Sequence, residues 1–227
     1  MADTQHQEIE LKRLLGGAAA ADRLVRALGA VASDRHQRNH VFDTEDFALR
    51  QSRLAVRLRN EDGQHTLTAK GPSVGLSASV VSRTEAEVEV DAEVAAQIRS
   101  GRLDPVALLR ERLTDGGHEE SEYAALWTGI ERARRGRALR EVGYFDNRRR
   151  TIPVTLPSGV AVHVEVDQTR FPDGSAAEEI EVELPSAELV TAVEAWLGDL
   201  AVRAGVETKP SSAKLARFYA ALSRTAR

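Results

Sequence analysis

The strongest constraint on this fold is a two-residue alternation. It sets charge of both signs on one side of a strand and aliphatic side chains on the other. In residues 80–91, Arg83, Glu85, Glu87, Glu89 and Asp91 share one parity, opposite Ala86, Val88 and Val90. In residues 53–60, Arg53, Arg57 and Arg59 oppose Leu54, Val56 and Leu58. Residues 160–170 gather His163, Glu165 and Asp167 opposite four valines, and residues 176–184 gather Glu179, Glu181 and Glu183 opposite Ile180, Val182 and Leu184. Residues 64–70 place Thr66, Thr68 and Lys70 together, and residues 6–14 place His6, Glu8, Glu10 and Lys12 opposite Ile9 and Leu11. An open antiparallel sheet with one wet face gives the same alternation. Two features favour a closed arrangement. The charged parity carries little Ser, Gln or Asn, and several helices have apolar stripes that need a sheet to cover. If those helices lie over the aliphatic faces, the charged faces line an interior. The expected fold is therefore α+β: a closed, eight-stranded antiparallel β-barrel, a tunnel with a charged interior and helices packed on its outside.

The remaining segments fit this plan. Residues 18–30, 92–100, 105–114, 123–135, 187–203 and 212–223 have helical spacing. Residues 33–44 read as a second strand, 45–51 as a polar connection or helical turn, and 73–79 as a loop. Residues 138–156 read as one long strand or a kinked pair. Glu61-Asp62-Gly63 is a hairpin signal. No repeat or long linker stands out, so residues 1–227 are expected to form a single domain with its core at about 6–222.

Composition excludes several function classes. The chain of 227 residues balances 31 basic against 35 acidic residues, which gives no basic excess for nucleic-acid binding. It has no cysteine, so thiolate metal sites and disulfides are ruled out; this fits a reducing compartment. No apolar run approaches the roughly 20 residues that span a bilayer, and the start lacks a secretory apolar region. A cytoplasmic protein with no nucleic-acid or membrane partner is the expectation. Neither HExxH nor GxxxxGK[ST] occurs, so a zincin helix and a P-loop are both absent. Instead, Glu8 and Glu10 lie about 7 Å apart along one strand face, close enough to hold a hard divalent cation. Lys12 beside them can hold the anion such a cation brings.

Glu8-Ile9-Glu10-Leu11-Lys12 resembles the ExExK signature of the CYTH superfamily, the triphosphate tunnel metalloenzymes. Other elements follow in that family's order: Phe42-Asp43-Thr44, Val56-Arg57-Leu58-Arg59, Thr68-Ala69-Lys70-Gly71, Glu85 to Glu89, and Glu179 to Glu183. Ser212-Ala213-Lys214 resembles the C-terminal Ser-Lys element with one residue inserted. The likeness runs over residues 6–222 and is nearest to bacterial inorganic triphosphatases and class IV adenylate cyclase-like proteins.

The resemblance implies a metal-dependent enzyme acting on a small-molecule triphosphate, with Mg²⁺ or Mn²⁺ as cofactor, working as a monomer or homodimer. Glu8, Glu10 and Lys12 would be catalytic. Glu8, Glu10, Glu181, Glu183 and Asp167 would serve the metal, with Glu179 an alternative because a run of three glutamates leaves the register open. Lys12, Arg57, Arg59, Lys70, Arg149 and Lys214 would bind phosphate oxygens. Among Arg148, Arg149 and Arg150, Arg149 is favoured, although its parity is opposite to that of its two neighbours. Hydrolysis of inorganic tripolyphosphate to pyrophosphate and phosphate is the leading expectation. Nucleoside or thiamine triphosphate hydrolysis, cyclisation of ATP, and a non-catalytic polyphosphate- or nucleotide-binding module are the alternatives.

Overall fold

A computed structural model describes residues 7–211 and 213–225. His6 and Ser212, both singled out above, lie outside the described residues. In chain order the elements are β1 (Gln7–Leu15), α1 (Ala18–Leu28), β2 (Ser33–Asp43), α2 (Ala48–Gln51), β3 (Ala55–Glu61), β4 (Gln64–Lys70), β5 (Val74–Gly75), β6 (Val80–Val90) and α3 (Ala92–Arg99). There follow α4 (Pro105–Asp115), α5 (Ala124–Arg134), β7 (Arg140–Thr155), β8 (Ala161–Arg170), β9 (Ala176–Glu183), α6 (Val190–Ala204), β10 (Thr208–Pro210) and α7 (Lys214–Thr225). Short 3₁₀ turns at Glu120–Tyr123 and Ala187–Leu189 lead into α5 and α6.

The strands hydrogen-bond in the order β10-β1-β9-β8-β7-β2-β3-β4-β6-β5, and β1 also pairs with β6. The fold is the expected α+β one: among the described residues, eight long antiparallel strands form a closed barrel accompanied by helices. The short strands β5 and β10 were not anticipated; two and three residues are too few to show a period. The 138–156 segment resolves as one 16-residue strand that continues through Pro153.

The chain divides into two compact units. The first holds residues 37–73 and 83–144. Its ladder runs through β2, β3, β4 and β6, and β3 turns into β4 at Asp62 and Gly63, with φ of 50° and 88°. Two consecutive positive φ values are what a two-residue primed hairpin turn requires, so Asp-Gly suits it. The aliphatic parity of these strands is buried at Val56, Leu58, Leu67 and Ala86, each at 0% exposure, and partly buried at Val88 and Val90. It packs with Ile98 of α3, Leu109 of α4, and Trp127 and Ile130 of α5. Side-chain caps start two of these helices: Asp91 accepts from Val94 N at 2.8 Å, and Asp104 accepts from Val106 N at 2.8 Å ahead of Pro105.

The second unit holds residues 8–36, 74–82 and 145–225. Its strands β1, β9, β8 and the end of β7 present Leu11, Ile180, Val182, Val164 and Ile152 to Leu24 of α1 and to Val193, Leu197 and Leu200 of α6. In both units the helices cover the aliphatic parity. That leaves the opposite, charged parity to carry the chemistry.

Candidate active site

In the second unit, strand register brings the candidates together. Lys12 is the cross-strand partner of Glu181, and Glu181 of Glu165; Arg149 is the partner of Asp167, and Asp167 of Glu179. Directly opposed side chains on one face stand close enough to pair. Lys12 Nζ lies 2.6 Å from Glu10 and 3.2 Å from Glu181. Arg149 donates in bidentate fashion to Asp167, at 2.9 and 2.6 Å, and again to Glu181 at 2.6 Å; it also pairs with Glu165. Lys214, the first residue of α7, donates to Asp167 at 2.5 Å and to Glu181 at 3.3 Å.

These groups are withdrawn from water. Glu10 is 5% exposed, Glu181 3%, and Asp167 and Glu179 0%. Burial disfavours an ionised carboxylate, but cations here outweigh it. Glu181 is held well below the usual carboxylate range against its burial by Lys12, Lys214 and Arg149, with a hydrogen bond to Glu10 adding to the effect. Asp167 is likewise lowered against its burial, by Arg149 and Lys214. Glu165 goes the other way. Burial pushes it up to about 7 despite Arg149, and the neighbouring charges of Asp167 and Glu181 add to the rise.

The two open registers now have positions. Arg149 joins the acidic group, whereas Arg148 pairs with Asp34 at 2.6 Å and Arg150 with Asp22 at 2.7 Å. On β9, Glu179 and Glu181 are buried within the group, while Glu183 is exposed at the strand's end, opposite Glu10 in register. Glu8 is half-buried on β1, two residues before Glu10.

In the first unit, cation, hydroxyl and carboxylate line up across three strands. Arg57, Thr68 and Glu87 form one row, and Arg59, Thr66 and Glu89 the next. Thr68 donates to Glu87 at 3.0 Å, Arg59 lies 3.8 Å from Glu87, and Lys70 pairs with Glu85 at 2.7 Å. Arg59, Thr66, Glu87 and Glu89 border a concavity of about 300 Å³. Asp43 and Thr44, part of the family-like Phe42-Asp43-Thr44, have a structural task. Asp43 accepts from Leu49 N at 2.8 Å and Arg50 N at 3.0 Å, and Thr44 Oγ1 accepts from Ala48 N at 2.9 Å, so the pair anchors α2.

Among the described residues no three His, Asp or Glu side chains stand in metal-holding geometry. The donor chemistry nonetheless fits a hard divalent ion. Glu10 and Glu181 converge on Lys12 Nζ, at 2.6 and 3.2 Å, and Mg²⁺ is commonly held by one or two carboxylates together with substrate phosphate.

Sequence reasoning missed Arg217 and Ser211, which flank Lys214 and engage Glu179. Arg217 was within reach of it: three positions after Lys214 on a helix is the same face. Glu165 was sorted onto the correct face but assigned no role.

Comparison with known proteins bears on the family and the fold. The CYTH domain matches residues 6–219. A Bacillus subtilis (strain 168) protein, YjbK, whose name proposes a triphosphatase, is 40% identical over 75 residues, 32% of this chain and 39% of the relative. The aligned stretch thus spans about two fifths of that protein. Among solved structures, a Hippeastrum protein described as a candidate adenylyl cyclase with a dominant triphosphatase activity superposes with a TM-score of 0.74 at 24% identity, covering 94% of this chain and 95% of its own. A candidate adenylate cyclase from Bacillus halodurans gives 0.62 at 21% identity, covering 94% and 99%. At these identities the structural likeness bears on fold alone; with the domain match over nearly all of its length, the chain belongs to the CYTH domain family.

Proposed function

We propose that the protein is a divalent-metal-dependent triphosphatase, whose leading substrate is inorganic tripolyphosphate, cleaved to pyrophosphate and phosphate. The observation that carries this reading is Lys12, held 2.6 Å from Glu10 and 3.2 Å from Glu181 inside a buried, mixed-charge group. Carboxylates alone would suit a metal, and cations alone an anion; interleaved, they suit an anion that arrives with its metal.

Glu10 and Glu181, with Glu8 beside them, would hold Mg²⁺ or Mn²⁺. When bound, the ion supplies Lewis-acid withdrawal of charge from phosphate oxygens. Exposed Glu183 would reach it only from the rim of the strand. Asp167 would act mainly by fixing Arg149 and Lys214, to which both its oxygens are committed. In the second unit Lys12, Arg149 and Lys214 would bind phosphate oxygens and stabilise the charge that spreads over them as water attacks in line. In the first unit Arg57, Arg59 and Lys70 are the proposed phosphate-binding cations. Arginine suits bidentate oxygen contact and lysine acts as a point charge.

No helix among the described residues is long and apolar enough to cross a membrane, and the reading places the enzyme in the cytoplasm as a single CYTH-like domain. The test is a substrate panel with Mg²⁺ and with Mn²⁺, following phosphate, pyrophosphate and cyclic AMP. Phosphate release from tripolyphosphate, reduced about a thousandfold in Glu10→Gln with the circular dichroism unchanged, is the expected result. Cyclic AMP from ATP would move the assignment to a cyclase. Binding of tripolyphosphate without turnover would make the protein a binding module.

A further inference from the structure

The side chains of α7 that reach β9 are of two kinds. Lys214 extends to Asp167 and Glu181, and stands 3.7 Å from Glu179. Arg217 belongs to a separate arrangement. One terminal nitrogen donates to Ser211 Oγ at 2.7 Å, and the other pairs with Glu179. Ser211 Oγ in turn donates to Glu179 Oε1 at 2.8 Å. The three side chains close a ring that ties the chain just ahead of α7, the first turn of α7 and the middle of β9. Glu179 is fully buried and sits directly across the ladder from Asp167. The Arg217 guanidinium also lies 5.9 Å from the centroid of the Phe171 ring, and Phe145 packs against both Phe171 and Phe218. An apolar floor thus supports the ring from beneath.

We propose that Arg217 is a positioning residue. By clamping Glu179 together with Ser211, it fixes the first turn of α7 and so seats the Lys214 ammonium against Asp167 and Glu181. A lysine head on a four-carbon stem is flexible, and its placement depends on how firmly its backbone is held. The planar fork of an arginine can serve two acceptors at once, which the clamp requires and a point charge does not provide. It follows that Glu179 is an anchor whose oxygens are committed to Ser211 and Arg217. Arg217 would therefore govern substrate affinity without touching substrate. This consequence for catalysis rests on the triphosphatase reading; the clamp itself does not.

The experiment measures Lys214 directly. Trace labelling of amines with acetic anhydride, read by mass spectrometry, reports how accessible and how well paired Lys214 is. In Arg217→Met the Lys214 labelling rate should rise about tenfold, and KM for tripolyphosphate should rise about tenfold with kcat within about threefold. Arg217→Lys should restore only part of each change. Ser211→Ala should move both in the same direction by less, and it stands in if Arg217→Met does not fold. Unchanged Lys214 labelling in the folded variants overturns the proposal, as does a full recovery by Arg217→Lys. If the unsubstituted protein turns over no triphosphate, the functional reading fails and the labelling rates alone decide the clamp.

Discussion

The two units carry the same kinds of residue on the same kind of strand face, yet they treat charge differently. In the first unit the Arg59–Glu87 pair is open to water, 3.8 Å apart with side chains 20% and 41% exposed, while Lys70 and Glu85 are more enclosed at 12% and 19%. In the second unit Glu181, with its side chain 4% exposed, is contacted by Lys12, Arg149 and Lys214 together. Open pairs contribute little to stability and exchange partners easily. A buried, multiply paired group is costly to disturb because removing one member strands the others. The difference predicts that disturbing the Glu181 group costs far more stability than disturbing the open Arg59–Glu87 pair.

The largest expected effect tests this contrast most severely. Glu181→Gln should lower unfolding stability by about 3 kcal/mol, because three half-buried cations lose a shared buried partner. Glu87→Gln should cost less than about 1 kcal/mol. Urea unfolding of both variants decides the point, and equal losses would erase the distinction. A smaller effect is expected from Asp104→Ala. This carboxylate caps α4 and pairs with Arg134, and burial, which opposes its ionisation, is outweighed by that arginine. Its loss should cost about 1 kcal/mol by the same measurement without altering turnover.

The smallest effect is a pH dependence within the first unit. Burial holds His40 below its ordinary value of 6.5, although Glu141 at 2.7 Å opposes the shift; Arg99 and Arg38 reinforce it. Because the folded form resists protonation more than the unfolded chain does, stability is fully present above pH 6.5 and declines as pH falls below it. Melting temperature measured from pH 7.5 to 5.5 should fall less steeply in His40→Gln than in the unsubstituted protein.

Much of this was legible from the residues. Parity alone sorted Glu10, Lys12, Glu181 and Asp167 onto one face, because a strand has only two faces and the aliphatic one was unmistakable. The hairpin at Asp62-Gly63 was equally readable. Register was not. Whether Glu181 or Glu183 lies across from Lys12 depends on how two strands distant in sequence slide past each other, and nothing local to either strand sets that. Asp43-Thr44 shows the converse problem: its place in a family-like pattern says nothing of its task, which is to receive the amides that open α2. Ser211 escaped notice because a single serine in a loop has no periodicity to betray it.

The distance in sequence between β1 and its partner has a further consequence for biosynthesis. Lys12 meets Glu181, which is synthesised 169 positions later, a delay on the order of ten seconds or more at typical translation rates. Until then the part of β1 that β9 will pair with stays open, even once β6 is available to β1, and an open strand edge is the kind of segment that recruits neighbouring chains into aggregates. Its alternating Glu8, Glu10 and Lys12 make it a poor template for such pairing. The side chains proposed for triphosphate chemistry thus have the charge that general edge protection calls for in a strand whose partner is made late.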